Sequence, residues 1–370
     1  MSDDTRSSFE TPWILRDPAV APHARTDPSL RLFCLPQAGC GAWSYHGWQN
    51  RLPPHVEVLP VEYPGRNSRL THRFEYRSLQ DLASAVVDAI EPLLSVNADA
   101  SKDVASKSTA PPPYVLLGWS MGAWLGYEMV LEIARRTHLA LPLRVFLGGA
   151  RSPSLAGPEF DPDRETPALS GLPKPLFWEA FARRYGPNPN LEASEALRDL
   201  LLPTLRKDFA LMERYVPSVD ETPGSSTRCL GRRDEEPVDA SVDVAEARAG
   251  FARVATEEKR FSSTEEPAEK KKENAFPRVA AARLPVPLVA FGARGDARYD
   301  PAQLSAWRDV AALDQNALTD RGDRSRDPSK PERFERFLER WFPGGRATPH
   351  RLLLDRPNEL VRFLNEALRS

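Results

Sequence analysis

Cysteine is scarce: Cys34, Cys40 and Cys229 are the only three in 370 residues, with no C-x-x-C pair and no Cys/His ligand spacing. A disulfide scaffold is thereby excluded, and neither a structural metal nor an oxidising compartment is expected. Long apolar runs are also lacking, since no stretch reaches the ~18–20 residues of a membrane-crossing helix. The opening MSDDTRSSFETPW is acidic and has none of the apolar character of a secretory signal. Nor does one sign of charge prevail. Fifty Lys plus Arg against 52 Asp plus Glu leave a net charge of −2, which supplies no overall field for nucleic acid or an anionic membrane. These absences predict a cytoplasmic protein with no nucleic-acid partner, no membrane span, no cofactor and no metal. No internal repeat is present.

Proline, by contrast, is abundant: 36 residues, about twice the average share of ~5%. Hydrophobic residues at 41% and aromatics at 9% are enough for a full core, so the excess proline marks interruptions rather than wholesale disorder. Three polar segments hold part of it. Residues 97–113 (NADASKDVASKSTAPPP) and 314–333 (DQNALTDRGDRSRDPSKPER) read as loops. Residues 219–283, with ATEEKR and EEPAEKKKEN, read as a charged, disordered insertion. The blocks between them alternate short apolar runs with helical periodicity, the order of an α/β protein with a mostly parallel sheet and helices on both faces. RLFCLP (31–36), VEVLPVEY (56–63), YVLL (114–117), RVFLG (144–148) and PLVAF (287–291) are predicted strands. Residues 79–94, 121–136 and 358–368 are predicted helices with one apolar face. The expected organisation is a tail over 1–30, a core over 31–150 and 284–370, and a helical lid over 151–218, its helices around 175–185 and 193–215.

The sharpest motif is Gly118-Trp119-Ser120-Met121-Gly122, directly after the YVLL strand and before a helix. In a G-x-S-x-G elbow the chain turns so tightly that side chains two residues either side of the serine would collide, hence the glycines. Ser120 is the expected nucleophile. Of the six histidines, the chain order serine, acid, histidine leaves His138 and His350. His138 ends the helix after the elbow and faces away from the strand ends, whereas His350 follows the strand-like FLERWF and a Pro-Gly-Gly turn, making it the expected base. Asp296, just past PLVAF and GARG, is the expected acid. Asp300 competes, but its place before Pro301 suits a helix cap. The backbone N–H of Met121, with that of Gln37 or Ala38 in the small-residue turn PQAGCGA, would hold an oxyanion.

The blocks LFCLPQAGCGAWSYHGW, VEYPGRNSRL, LLGWSMGAWLGYEM, LLPTLRKDFALMERY, FPGG and HRLLLDRPNELVRFLNEAL together resemble the type II thioesterases, stand-alone α/β-hydrolases that accompany polyketide, nonribosomal-peptide and fatty-acid synthases. The resemblance implies an α/β-hydrolase fold with a lid over the site. It places the nucleophile on Ser120, the acid on Asp296 and the oxyanion amides on Met121 and Ala38, with Gln37 as the alternative. It further implies a monomer that cleaves acyl thioesters on the phosphopantetheine arm of an acyl carrier protein, for editing or chain release. The family's histidine usually follows two glycines directly; here Arg346-Ala347-Thr348-Pro349 intervene before His350, which reads as a four-residue insertion. A carboxylesterase or lipase, and an inactive carrier-binding subunit, remain as alternative readings of the same residues.

Overall fold

The computed structural model describes residues 10–16, 28–73, 75–94, 111–166, 168–219, 278–311, 337–343 and 349–368. Most of the segments 97–113 and 219–283, residues 314–333 and the greater part of the insertion before His350 lie outside the described residues.

Six strands form one sheet: β1 (Leu30–Leu35), β2 (Val56–Pro60), β3 (Tyr114–Trp119), β4 (Val145–Gly148), β5 (Leu288–Ala293) and β6 (Phe337–Phe342). Their spatial order is β2-β1-β3-β4-β5-β6, and every neighbouring pair is parallel. A parallel sheet is covered on both faces, so its strands are continuously apolar rather than alternating. Alternation instead sorts side chains between two cores. Phe33, Leu35, Leu116 and Ala290 face one, with α1 (Leu79–Ile90), α2 (Met121–Arg135) and Trp307. Cys34, Leu117, Phe146 and Phe291 face the other, with Tyr45, Trp48 and the C-terminal helix.

Helix α1 starts where Ser78 Oγ accepts the Asp81 N–H at 3.0 Å and ends four residues earlier than its apolar pattern. Pro92 there imposes a 3-10 turn over Glu91–Leu93. Three helices follow β4: α3 (Lys174–Tyr185), α4 (Pro189–Ala193) and α5 (Glu195–Glu213). The helix expected around 193–215 is α5, and the short α4 ahead of it was not expected. Ser194 divides them, its backbone extended and its hydroxyl accepting the Leu197 N–H at 3.2 Å as the cap of α5. These helices enclose a small apolar core of their own, Leu169, Phe177, Ala180, Leu205 and Phe209. The chain closes with α6 (Pro301–Ser305), α7 (Leu352–Asp355) and α8 (Pro357–Ala367). Part of the expected tail is not free: Ile14 is buried and bridges Val61 antiparallel beside β2, and Arg16 pairs with Glu57 at 3.0 Å. No described helix is long and apolar enough to cross a membrane.

Candidate active site

Strand β3 runs into α2 through Ser120, whose backbone is held at φ 57° and ψ −118°. That is a costly conformation for a residue with a side chain, and the neighbours enforce it. The Ser120 N–H donates to the Gly148 carbonyl at 2.8 Å, and the Ala123 N–H donates to the Ser120 carbonyl at 2.9 Å. A Cβ on Gly118 would lie 2.1 Å from the Gly122 carbonyl oxygen, and one on Gly122 would lie 2.1 Å from the Leu35 carbonyl oxygen. Both glycines are therefore required by backbone approaching backbone, and Gly122 in particular lets α2 sit against β1.

The structure brings Ser120, Asp296 and His350 together from the ends of β3, β5 and β6. His350 Nε2 is 3.0 Å from Ser120 Oγ, and Nδ1 is 2.9 Å from Asp296 Oδ2. All three are buried. The other oxygen of Asp296 accepts the Arg298 N–H at 2.9 Å, which fixes the carboxylate plane. His138, by contrast, is exposed at the surface and contacts Glu91. Asp300 caps α6, accepting the Gln303 N–H at 2.7 Å in a reciprocal capping box.

Several groups that hold this arrangement carry no signal in the sequence. Trp119, the variable residue of the elbow, donates its indole N–H to the His350 carbonyl at 3.0 Å. Tyr185, the last residue of α3, places its ring 5.0 Å from the imidazole. Arg298 lies over the Tyr185 ring and pairs with the buried Asp161 at 2.7 Å. Beside the triad a small cavity of about 40 Å³ is lined by Trp124, Arg151, Asp161, Arg184, Tyr185 and Arg298. A larger one of about 390 Å³ opens among Trp178, Phe181, Leu191 and Arg198 of α3 to α5.

The turn after β1 brings Gln37, Ala38 and Gly39 to the same edge of the sheet as Ser120. The Cys40 N–H closes the turn on the Gln37 carbonyl at 3.1 Å, and Gly39 takes φ +73°. Neither Ala38 nor Met121 has a backbone N–H partner among the described residues. The Gln37 side-chain oxygen is buried and unpartnered. Burial pushes the Cys40 thiol up to about 11, so this neighbouring sulfur is protonated at neutral pH and does not compete with Ser120 as a nucleophile. Among the described residues, no cluster of His, Cys, Asp or Glu is placed to hold a metal ion.

The helices over the site are tied down by charge. Burial by itself would raise the Asp163 pKa, but the Thr166 hydroxyl and the Arg184 and Arg183 guanidiniums outweigh it and hold the carboxyl well below the usual aspartate range. A depressed folded-state pKa contributes stability that is present above the ordinary aspartate value of ~3.9 and fades as pH falls below it. Asp163→Asn should therefore melt at a lower temperature than the unsubstituted protein at pH 7, with the gap closing towards pH 2. Thermal melts at both pH values check this, and an equal gap at both would refute it.

A parallel, doubly covered sheet with a serine on a strained strand-to-helix turn, backed by a histidine and an aspartate from later strand ends, defines an α/β-hydrolase. The chain belongs to the thioesterase family, whose thioesterase-domain model matches residues 30–97 and 98–258. Among its relatives, gramicidin S biosynthesis protein GrsT of Aneurinibacillus migulanus is 28% identical over 200 residues, 52% of this chain and 65% of that protein. The alignment thus spans just under two-thirds of that relative's length. Thioesterase PikA5 of Streptomyces venezuelae is 30% identical over 194 residues, 52% of this chain and 60% of the relative. The solved structure of RedJ, the thioesterase of the prodiginine biosynthetic pathway in Streptomyces coelicolor, superposes with a TM-score of 0.55 at 26% identity, covering 94% of this chain and 96% of that one.

Proposed function

We propose that this protein is a stand-alone thioesterase of the type II kind, hydrolysing acyl groups held as thioesters on the phosphopantetheine arm of a carrier protein, in editing or chain release. The observation that carries the reading is the Ser120–His350–Asp296 relay, with contacts of 3.0 and 2.9 Å, in a chain of the thioesterase family. Asp296 accepts a hydrogen bond from Nδ1–H of His350, leaving Nε2 free to accept the Ser120 proton. Oγ attacks the thioester carbonyl carbon, and the oxyanion that forms is held by the Met121 and Ala38 amides, with Gln37 next in the turn. The C–S bond breaks, and the pantetheine thiol leaves with the proton from Nε2. Water then attacks the acyl-serine, giving its proton to Nε2, and the carboxylic acid departs as Ser120 regains a proton. A thiol, with a pKa near ~8.5, leaves more readily than an alkoxide, so little acid assistance is needed in the first half.

In this reading α3 to α5 are the lid, Tyr185 and Phe209 close the acyl site, and the protein acts as a cytoplasmic monomer. The names GrsT, PikA5 and RedJ carry, from gramicidin S to prodiginine, support a place beside such a synthase. The test compares an acyl-pantetheine thioester with the oxygen ester of matched chain. We expect the thioester to be favoured in kcat/KM by about tenfold or more; a preference for the oxygen ester would overturn the reading.

A further inference from the structure

We propose that Asp208, on the lid helix α5, is a positioning residue that sets the oxyanion loop and thereby couples closure of the lid to the competence of the site. The inference rests on the thioesterase reading, because the loop matters only if an oxyanion forms.

Asp208 is fully buried, and one of its oxygens accepts both the Gly39 N–H at 2.7 Å and a hydrogen bond from the Arg66 guanidinium. Gly39 adjoins Ala38, so its N–H belongs to the peptide that leaves Ala38. Tying that peptide to Asp208 fixes the plane next to the amide that faces the reaction. Leu205, three residues before Asp208 and on the same helical face, presses on the same spot: a Cβ on Gly39 would lie 2.4 Å from its methyl. Arg66 is anchored on the core side, donating to the Pro64 carbonyl at 3.0 Å with its guanidinium 4.9 Å from the Tyr63 ring centroid. At the far end of the loop Glu62 accepts the Ala42 N–H at 2.9 Å and is itself held by Asn67. The loop is thus suspended between two carboxylates, one following β2 of the sheet and one carried by the lid. Only the second moves if the lid moves.

A buried ion pair adds little net stability over apolar groups of similar volume, so stability does not account for a charge placed on this amide. Its position does: an oxyanion donor acts only when pre-aligned.

Because breaking one partner of a buried pair strains folding, the test compares two variants that both lack the charges. Arg66→Met/Asp208→Asn keeps an acceptor for Gly39, and Arg66→Met/Asp208→Leu removes it. The leucine variant should show kcat about 10–100-fold below the asparagine variant, with KM within about threefold. Its affinity for a trifluoromethyl ketone, whose serine hemiketal needs the same amides, should fall by the factor lost in kcat/KM. Equal kcat in the two, or a loss confined to KM, would overturn the proposal. A second measurement needs no variant: in the unsubstituted protein the Gly39 amide should exchange hydrogen as slowly as the amides of α5 around Asp208, and exchange at the rate of an open loop would overturn the proposal as well. Absence of any thioester turnover in the unsubstituted protein would instead count against the function, leaving the Gly39 exchange result to be read by itself.

Discussion

Ser120→Ala is expected to lower thioester hydrolysis by about four to six orders of magnitude while the protein remains folded. The side chain lost is the group that attacks, and what is left is the slower hydrolysis that bound water and the oxyanion amides sustain. Folding should be spared for a specific reason: alanine, like serine, carries a Cβ, so the φ of 57° costs both about the same. The measurement is single-turnover hydrolysis of an acyl-pantetheine thioester, together with labelling by a fluorophosphonate, which the variant should not take up. Retention of more than about 1% of the activity in a labelling-negative variant would remove Ser120 from the mechanism.

The second large effect is expected at Asp296, where asparagine should lower kcat by about four orders of magnitude. Its amide can donate towards His350 Nδ1, which favours the tautomer with the proton on Nε2, and that nitrogen then cannot take the Ser120 proton across their 3.0 Å contact. Volume and packing are unchanged, so the variant should melt near the parent temperature. The control is Asp300→Ala. Its carboxylate caps α6, and its removal should cost about 1 kcal/mol of stability without a comparable fall in kcat. A large fall in kcat for Asp300→Ala, with Asp296→Asn unaffected, would exchange their roles.

The difference between these two aspartates is legible in the sequence, because Pro301 marks the start of a helix and GARG marks a strand end. So are the elbow, five of the six strands and the two helices flanking β3, since each rests on local chemistry: glycines at a collision, apolar runs under double cover, one apolar stripe per helix. What the sequence did not disclose depends on contacts between distant segments. Tyr185 and Trp119 both contact His350 from positions 165 and 231 residues away, and Asp208 reaches Gly39 across 169. No periodicity or spacing connects such pairs. The five-residue α4 carries no sequence signal for a different reason: it is too short for helical periodicity to show, and its start is marked only by the Asn188 side chain accepting the Asn190 and Leu191 N–H groups. The pairing of Ile14 with β2 likewise involves too few residues to stand out in a segment rich in proline and charge.

Because all six strands point the same way, the sheet has two unlike edges. Ser120, Asp296, His350 and the turn at Ala38 all leave from carboxyl ends, whereas the amino ends of β3 and β6, Tyr114 and Phe337, lie at the opposite edge. A tag joined directly ahead of Tyr114 or Phe337 therefore attaches to the sheet a full strand, about 20 Å, from the reacting carbonyl. A fluorophore or affinity handle for following this protein belongs there, and the stretch leading to His350 is the place to leave untouched.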